Sequence, residues 1–334
     1  MRRHNDTEVL NVVCGGALWK IDDVDIIMCA TSDSVIVGFE EGHHIPGAPT
    51  YYPALHQPHD GYNHPDVLIH QIPHPGSFDY EHNLEHVIRC TTNAEYELVR
   101  LETGISKPSI FCGFDSNRIL LVPLCFSSDI MHIAAINTGD LLIPLWRGSF
   151  RVETTDNKST WAWAVLKKEI WKAHDTLIAD ATPYLPGSFN HPPHNPTEKI
   201  SSGYKAWEWL LYLDGMAPAT LYCIFPEPYW SNFCHLAWGL RIMQQYHISH
   251  VDLIEAHSHL LDFADEFEEI YYQSRINHLH FVRPWVHSIT HIAPETVNKG
   301  PPICSSQWTM ERTIGNLTQE IRLHNASVYA NLSQ

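Results

Sequence analysis

The sequence predicts a chain of the α+β class that is predominantly helical, and three observations carry that expectation. Short runs rich in valine and isoleucine, broken by polar clusters, occupy the N-terminal end. From about residue 160 onward apolar residues recur three and four apart, the period of a helix face. Hydrophobic residues make up 44% of the 334, with 11 Trp, 14 Tyr and 12 Phe, enough to fill one large domain or two ordinary ones.

The elements follow in order. Residues 8–14, 24–29 and 35–39 read as short strands. Residues 40–78 carry many Gly, Pro and His and hold no period, which reads as loop. Helical spacing returns over 79–102, with Leu84, Val87 and Ile88 on one stripe and Asn93 as the cap of a second helix. Residues 118–124 (RILLVPL) read as a buried strand. Trp161, Ala164, Val165, Ile170 and Trp171 predict one helix, ended by the proline-rich stretch 183–196. Two more fit 203–215 and 228–246. The clearest helix covers 249–273, where Ser249 and Asp252 form a capping pattern. Its apolar face runs Leu253, Ala256, Leu260, Ala264, Phe267, Tyr271, and the acids at 262, 265, 266, 268 and 269 read as a solvated face. A last helix is expected over 306–323, capped by Ser305 or Ser306, with Met310, Ile314, Leu317 and Ile321 on its buried stripe.

Composition narrows the function classes. Lys and Arg number 21 against 38 acids, a formal net charge of −17. Phosphate backbones are held by clustered cations that displace counterions, so a chain this acidic argues against strong non-specific DNA binding. No apolar run reaches the roughly 18–20 residues of a membrane helix, and no secretory apolar stretch follows MRRHNDTEVL. A soluble intracellular chain with no membrane partner is expected, and the sequons at Asn5, Asn316, Asn325 and Asn331 read as coincidence. The eight cysteines form no C-x-x-C pair, which argues against a zinc ribbon or a redox motif. The 24 histidines are mostly scattered through loops, and abundance alone does not make a metal site.

Three constellations can carry chemistry. Asp129 and His132 stand three apart, so they share a helical face and can share a metal or a hydrogen bond. His287 and His291 stand one turn apart if Pro284 opens a helix, the spacing with which a helix grips a transition metal. The residues between them are Ser-Ile-Thr, so the glutamate that a zinc protease requires is missing. The third is Trp308-Thr-Met-Glu311-Arg312, where Glu311 flanks the stripe and can reach a cleft. Each also has a structural reading, as an intrahelical hydrogen bond or a surface charge. A fourth pattern, His257-Ser-His259, is set aside because residues two apart on a helix diverge.

Several longer segments carry a resemblance. They are Tyr51-Tyr-Pro-Ala-Leu55, Arg100-Leu-Glu-Thr-Gly-Ile-Ser-Lys-Pro-Ser109, Asp129-Ile-Met-His132, Trp161-Ala-Trp163 and Ala179-Asp-Ala-Thr-Pro-Tyr-Leu-Pro-Gly-Ser188. Tyr229-Trp-Ser-Asn-Phe-Cys234, Leu279-His-Phe-Val-Arg-Pro284, Gln307-Trp-Thr-Met-Glu-Arg-Thr-Ile-Gly-Asn316 and Tyr329-Ala-Asn-Leu-Ser333 continue it. From about residue 50 to the end, in order, the chain resembles the fungal branch of CACTA (En/Spm)-type DNA transposases.

The resemblance implies an RNase H-like nuclease core of the DDE class, interrupted by a helical insertion. Three acids in such a core hold two divalent ions, Mg²⁺ or Mn²⁺, for attack on phosphate in transposon-end DNA. Glu311 matches the third acid, and Asp129 with His132 matches a D-x-x-H element downstream of the second. Together with His287 and His291, that pair is expected to tie the insertion to the core, with Zn²⁺ as the candidate ion. The domains expected are an N-terminal remnant (1–60), a partial core segment (61–150), the helical insertion (151–275) and a C-terminal segment returning to the core (276–334). Residence in the nucleus and, as one option, a homo-oligomer follow from the same resemblance. Where the second acid is expected, the chain reads Cys29-Ala30-Thr31-Ser32-Asp33, with Ala30 in its place. No residue among 1–28 matches the first acid. Since each acid places charge the others cannot supply, impaired catalysis is expected. Two other classes stay open: a domesticated module kept for interactions or DNA binding, and a zinc-dependent hydrolase.

Overall fold

The computed structural model describes residues 77–103, 105–108, 127–150, 156–185 and 204–314 apart from 309, with Leu55, His56 and the isolated positions 112, 120, 125 and 193. It also describes the backbone of five short strands between residues 12 and 51. Strands β1 (Val12–Val13), β2 (Gly16–Ile21) and β3 (Val24–Ile27) pair antiparallel in that order, with Ile21 opposite Val24. Strands β4 (Gly38–Phe39) and β5 (Thr50–Tyr51) form a separate antiparallel pair. Parts of the expected strands 8–14, 24–29 and 35–39 are present. The longest strand, GALWKI, lay between two of them and was not expected.

From residue 55 on, the described chain contains no strand and is predominantly helical. Helices α1 (Ser77–Arg89) and α2 (Asn93–Thr103) form a small unit around Tyr80, Leu84, Val87 and Ile105. Two expectations are corrected there. Ile88 is 61% exposed, because the buried stripe of α1 runs through residues 80, 84 and 87 instead. Asn93 is the first helical residue, and the cap is Thr92, whose hydroxyl accepts the Glu95 amide at 3.2 Å. The strand expected at 118–124 lies mostly outside the described residues. Leu120, its described member, is in no strand and is 38% exposed.

The main body begins at Ile130. A widened π-helical stretch (His132–Asn137) runs into α3 (Thr138–Trp146). Helix α4 (Lys168–Ala181) follows, then α5 (Ala206–Leu210), a second π stretch (Leu211–Met216) and the short α6 (Ala217–Thr220). Helices α7 (Glu227–Met243) and α8 (His250–Phe267) form an antiparallel hairpin, and α8 unwinds into a third π stretch (Glu268–Tyr272). Helix α9 (Pro284–Lys299) closes the body. No helix among the described residues is long and apolar enough to cross a membrane.

Local chemistry explains the best-read elements. The Ser249 hydroxyl accepts the Asp252 amide at 3.1 Å, while the Asp252 carboxylate accepts the Ser249 amide, so both orphan donors at the start of α8 are satisfied. Ala256, Leu260, Ala264, Phe267 and Tyr271 are then buried as their spacing predicts. Pro284 opens α9 at the position where a missing amide hydrogen costs nothing. By contrast, Trp161–Lys167 is not helical, and α4 starts at Lys168. Trp161 instead stacks on Trp163 with ring centres 5.2 Å apart and turns inward to the core.

One continuous core spans Leu55 and residues 130–293. It crosses the boundaries expected at 150/151 and 275/276, so the helical body begins near 130 and includes α9. At its centre the Trp146 indole donates to the Tyr271 hydroxyl at 2.9 Å, and Phe225 and Phe233 meet the same indole edge-on at 5.0 Å. Gly139 permits the approach of Trp209, since a β-carbon at 139 would lie 2.5 Å from that ring. Gly239 similarly lets Leu260 close the α7–α8 hairpin.

Candidate functional site

The two ends of the helical body meet. At the entry, Ser128 donates its amide to Glu295 of α9 at 2.8 Å, and the Ser127 hydroxyl lies 3.5 Å from that of Ser305. Asp129 is the centre of the junction. Its Oδ1 accepts the Gln307 amide at 2.9 Å across 178 residues of sequence, and its Oδ2 bonds both the amide and the ring of His132. Gln307 lies at the start of the last described helical turns, so a residue from the far end of the body caps them. This role had been expected of Ser305 or Ser306.

Electrostatics agrees with the geometry. Burial pushes the Asp129 carboxyl upward, but the hydrogen bonds from His132 and Gln307 outweigh it and hold its pKa below the ordinary value. The His132 pKa is raised, first by its hydrogen bond to Asp129, and more weakly by the charges of Asp129 and Glu311. Glu311 is therefore close enough to be felt at the junction. Its side chain is exposed, and its amide bonds the Gln307 carbonyl at 2.8 Å. The expected buried stripe of this helix is not seen in its described part: Met310 is 54% and Ile314 49% exposed, while Leu317 and Ile321 lie outside the described residues.

Glu311 lines a cleft of about 1120 Å³ together with Met131, Trp308, Arg312 and, from the second π stretch, Asp214. Burial raises the Asp214 pKa to about 7, opposed by a hydrogen bond from Gln244 and the charge of Arg241. Arg241 also donates to the Asp214 carbonyl. A carboxyl poised there can hold or release a proton near neutrality. Nothing in the sequence around Asp214 signalled this, because its burial depends on helices packed against it from elsewhere.

His287 and His291 sit one turn apart on the same side of α9 as their spacing predicts, their buried rings meeting edge-on with Nε2 atoms 3.1 Å apart. Burial lowers the His287 pKa to about 4, which keeps that ring neutral. The pair sits among the core residues of α9, and it does not gather with Asp129 and His132 into a three-ligand group. Among the described residues, the one such group is His235, His259 and Asp262, on α7 and α8. Among the described residues Glu311 belongs to no such three-residue group, although Asp214 lines the same cleft. Asp25 and Asp33, the nearest acids to the expected second position, have side chains outside the described residues.

Glu268, whose spacing places it among the solvated acids of the helix expected over 249–273, is instead 2% exposed. It accepts the amides of Leu55 at 2.7 Å and His56 at 2.8 Å, and His56 adds its ring Nδ1 at 3.1 Å. Burial raises its pKa against those hydrogen bonds. The Tyr51–Leu55 motif thus ends on a buried carboxylate of the helical body.

No family model, curated protein or solved structure matches this chain.

Proposed function

We propose that this chain derives from a DDE-class DNA transposase, that its helical body is the insertion of an RNase H-like nuclease core, and that it does not itself cleave or join DNA. The observation that supports this reading is the junction at Asp129. An inserted domain must leave and re-enter its host at neighbouring points, and here Ser127–Asp129 bonds Glu295, Ser305 and Gln307. Glu311, the match to the third acid, follows directly after the exit.

In this reading Asp129 and His132 are a structural fastener rather than metal ligands, and His287 with His291 stiffens α9 inside the core. The donors described around Glu311 do not fit a two-metal site. Hard divalent cations take several carboxylate oxygens, whereas Glu311 belongs to no cluster of three ligands among the described residues and Ala30 stands where a second acid would. The ancestor's partner was transposon-end DNA in the nucleus. The net charge of −17 leaves this descendant with weak non-specific affinity for duplex DNA.

Purified full-length protein incubated with Mg²⁺ or Mn²⁺ and a supercoiled plasmid bearing CACTA-type ends tests the loss of activity. The expected product is intact plasmid, with neither nicks nor joined strands. Cleavage that disappears on Glu311→Gln would overturn the proposal.

A further inference from the structure

We infer that His235, His259 and Asp262 form a surface site for one Zn²⁺ ion, bridging α7 and α8 on the side of the helical hairpin. The reading is independent of the transposase ancestry. One ligand atom from each of the three residues lies within 4.8 Å of the other two. His259 and Asp262 stand three apart on α8 and so share a face, which Ser249 and Asp252 fix in register from the helix start. His235 comes from α7, and the approach of the two helices is set by Gly239 against Leu260. The pattern His257-Ser-His259 is uninformative within one helix. Its second histidine gains a partner only across the hairpin.

The two rings face each other with Nδ1 atoms 2.7 Å apart. In neutral imidazoles one Nδ1–H donates to the other Nδ1. Zinc needs both lone pairs, so the donor ring carries its proton on Nε2 instead, and no net proton is released. Tetrahedral zinc with bonds of about 2.0–2.1 Å sets its ligand nitrogens about 3.3 Å apart, a small opening for two partly exposed side chains.

The surroundings carry negative charge. The Nε2 of His235 lies 3.9 Å from a Glu266 oxygen, beyond hydrogen-bond reach but near enough for that carboxylate to favour a bound cation. Glu266 is itself held by the Asn232 amide at 3.3 Å, and Asn232 is anchored to the Phe263 carbonyl at 3.0 Å. Desolvation and the neighbouring His235 lower the His259 pKa, opposed by the charges of Glu255 and Asp262. Glu255, Asp262 and Glu266 supply negative charge for a divalent cation. Arg241, also on this cleft, donates to the Asp214 carbonyl and lies over the Trp238 ring. The cleft measures about 450 Å³, with Cys234, Trp238 and Glu255 on its walls, so solvent reaches the site and water takes the fourth position.

The test uses full-length protein stripped with chelator, reloaded with excess Zn²⁺ and passed through gel filtration, with zinc counted by mass spectrometry. Wild type is expected to retain about one equivalent more than His259→Ala, and Zn²⁺ is expected to raise the melting temperature of wild type only. Co²⁺ in its place should give the strong visible absorption of a tetrahedral site. Asp262→Asn, which keeps the side chain's shape, should weaken binding about tenfold without unfolding the hairpin. Equal zinc retention and equal thermal response in wild type and both variants would overturn the assignment, as would wild type that retains no zinc.

Discussion

Asp156→Ala is expected to cost several kcal/mol of folding stability, about 1–3 kcal/mol for each buried hydrogen-bond partner left unsatisfied. The Asp156 side chain is fully buried and serves three donors at once. Its Oδ2 accepts the Trp161 indole at 3.1 Å and the His278 Nε2 at 3.0 Å, and its Oδ1 accepts Arg275 at 3.3 Å. His278 also bonds the Tyr271 carbonyl through Nδ1 at 3.0 Å. Truncation leaves the indole and imidazole nitrogens without an acceptor in the aromatic centre of the body. Arg275 is half-exposed and can turn to water, so it adds little to the loss. Asp156→Asn retains one acceptor oxygen and is expected to cost less. Chemical denaturation of both variants against wild type measures the difference, and a loss below 1 kcal/mol for alanine would contradict this account of the network.

Glu268→Ala is expected to destabilise by about 2 kcal/mol and, more tellingly, to release residues 55 and 56 from the body. Two backbone amides then lose their acceptor, each at about 1–3 kcal/mol if it stays buried. Part of that loss is offset because the carboxylate's own burial is unfavourable, as its raised pKa shows. Hydrogen exchange reads the second effect directly. The Leu55 and His56 amides should exchange much faster in the variant while α8 keeps its protection. Unchanged protection at both amides would rule out the tether.

These two residues also show what the sequence could and could not reveal. Helix α8 was legible because its cap, period and apolar face all lie within about twenty residues of one another. The start of α9 and the meeting of His287 with His291 were legible for the same reason. Glu268 was not, since its partners lie 212 and 213 residues away and a helical period cannot show that a distant segment covers an acid. The Asp156–His278 bond spans 122 residues and was equally invisible. Periodicity also fixes which residues share a face without fixing whether anything packs on it, which is why Met310 and Ile314 are exposed despite their spacing. Asp129 and His132 were found as a pair from spacing alone. Their third partner, the Gln307 amide, is a backbone group with no signature in sequence.

The most direct measurement is a disulfide across the junction. Ser127→Cys and Ser305→Cys are combined in a background with Cys125→Ser and Cys304→Ser, oxidised in the native state, digested and mapped by mass spectrometry. With the two hydroxyls 3.5 Å apart, one intramolecular link joining residues 127 and 305 is expected, absent when the chain is unfolded before oxidation. Native protein that forms no such link would show that the ends of the helical body do not meet, and the reading of it as an insertion would be wrong.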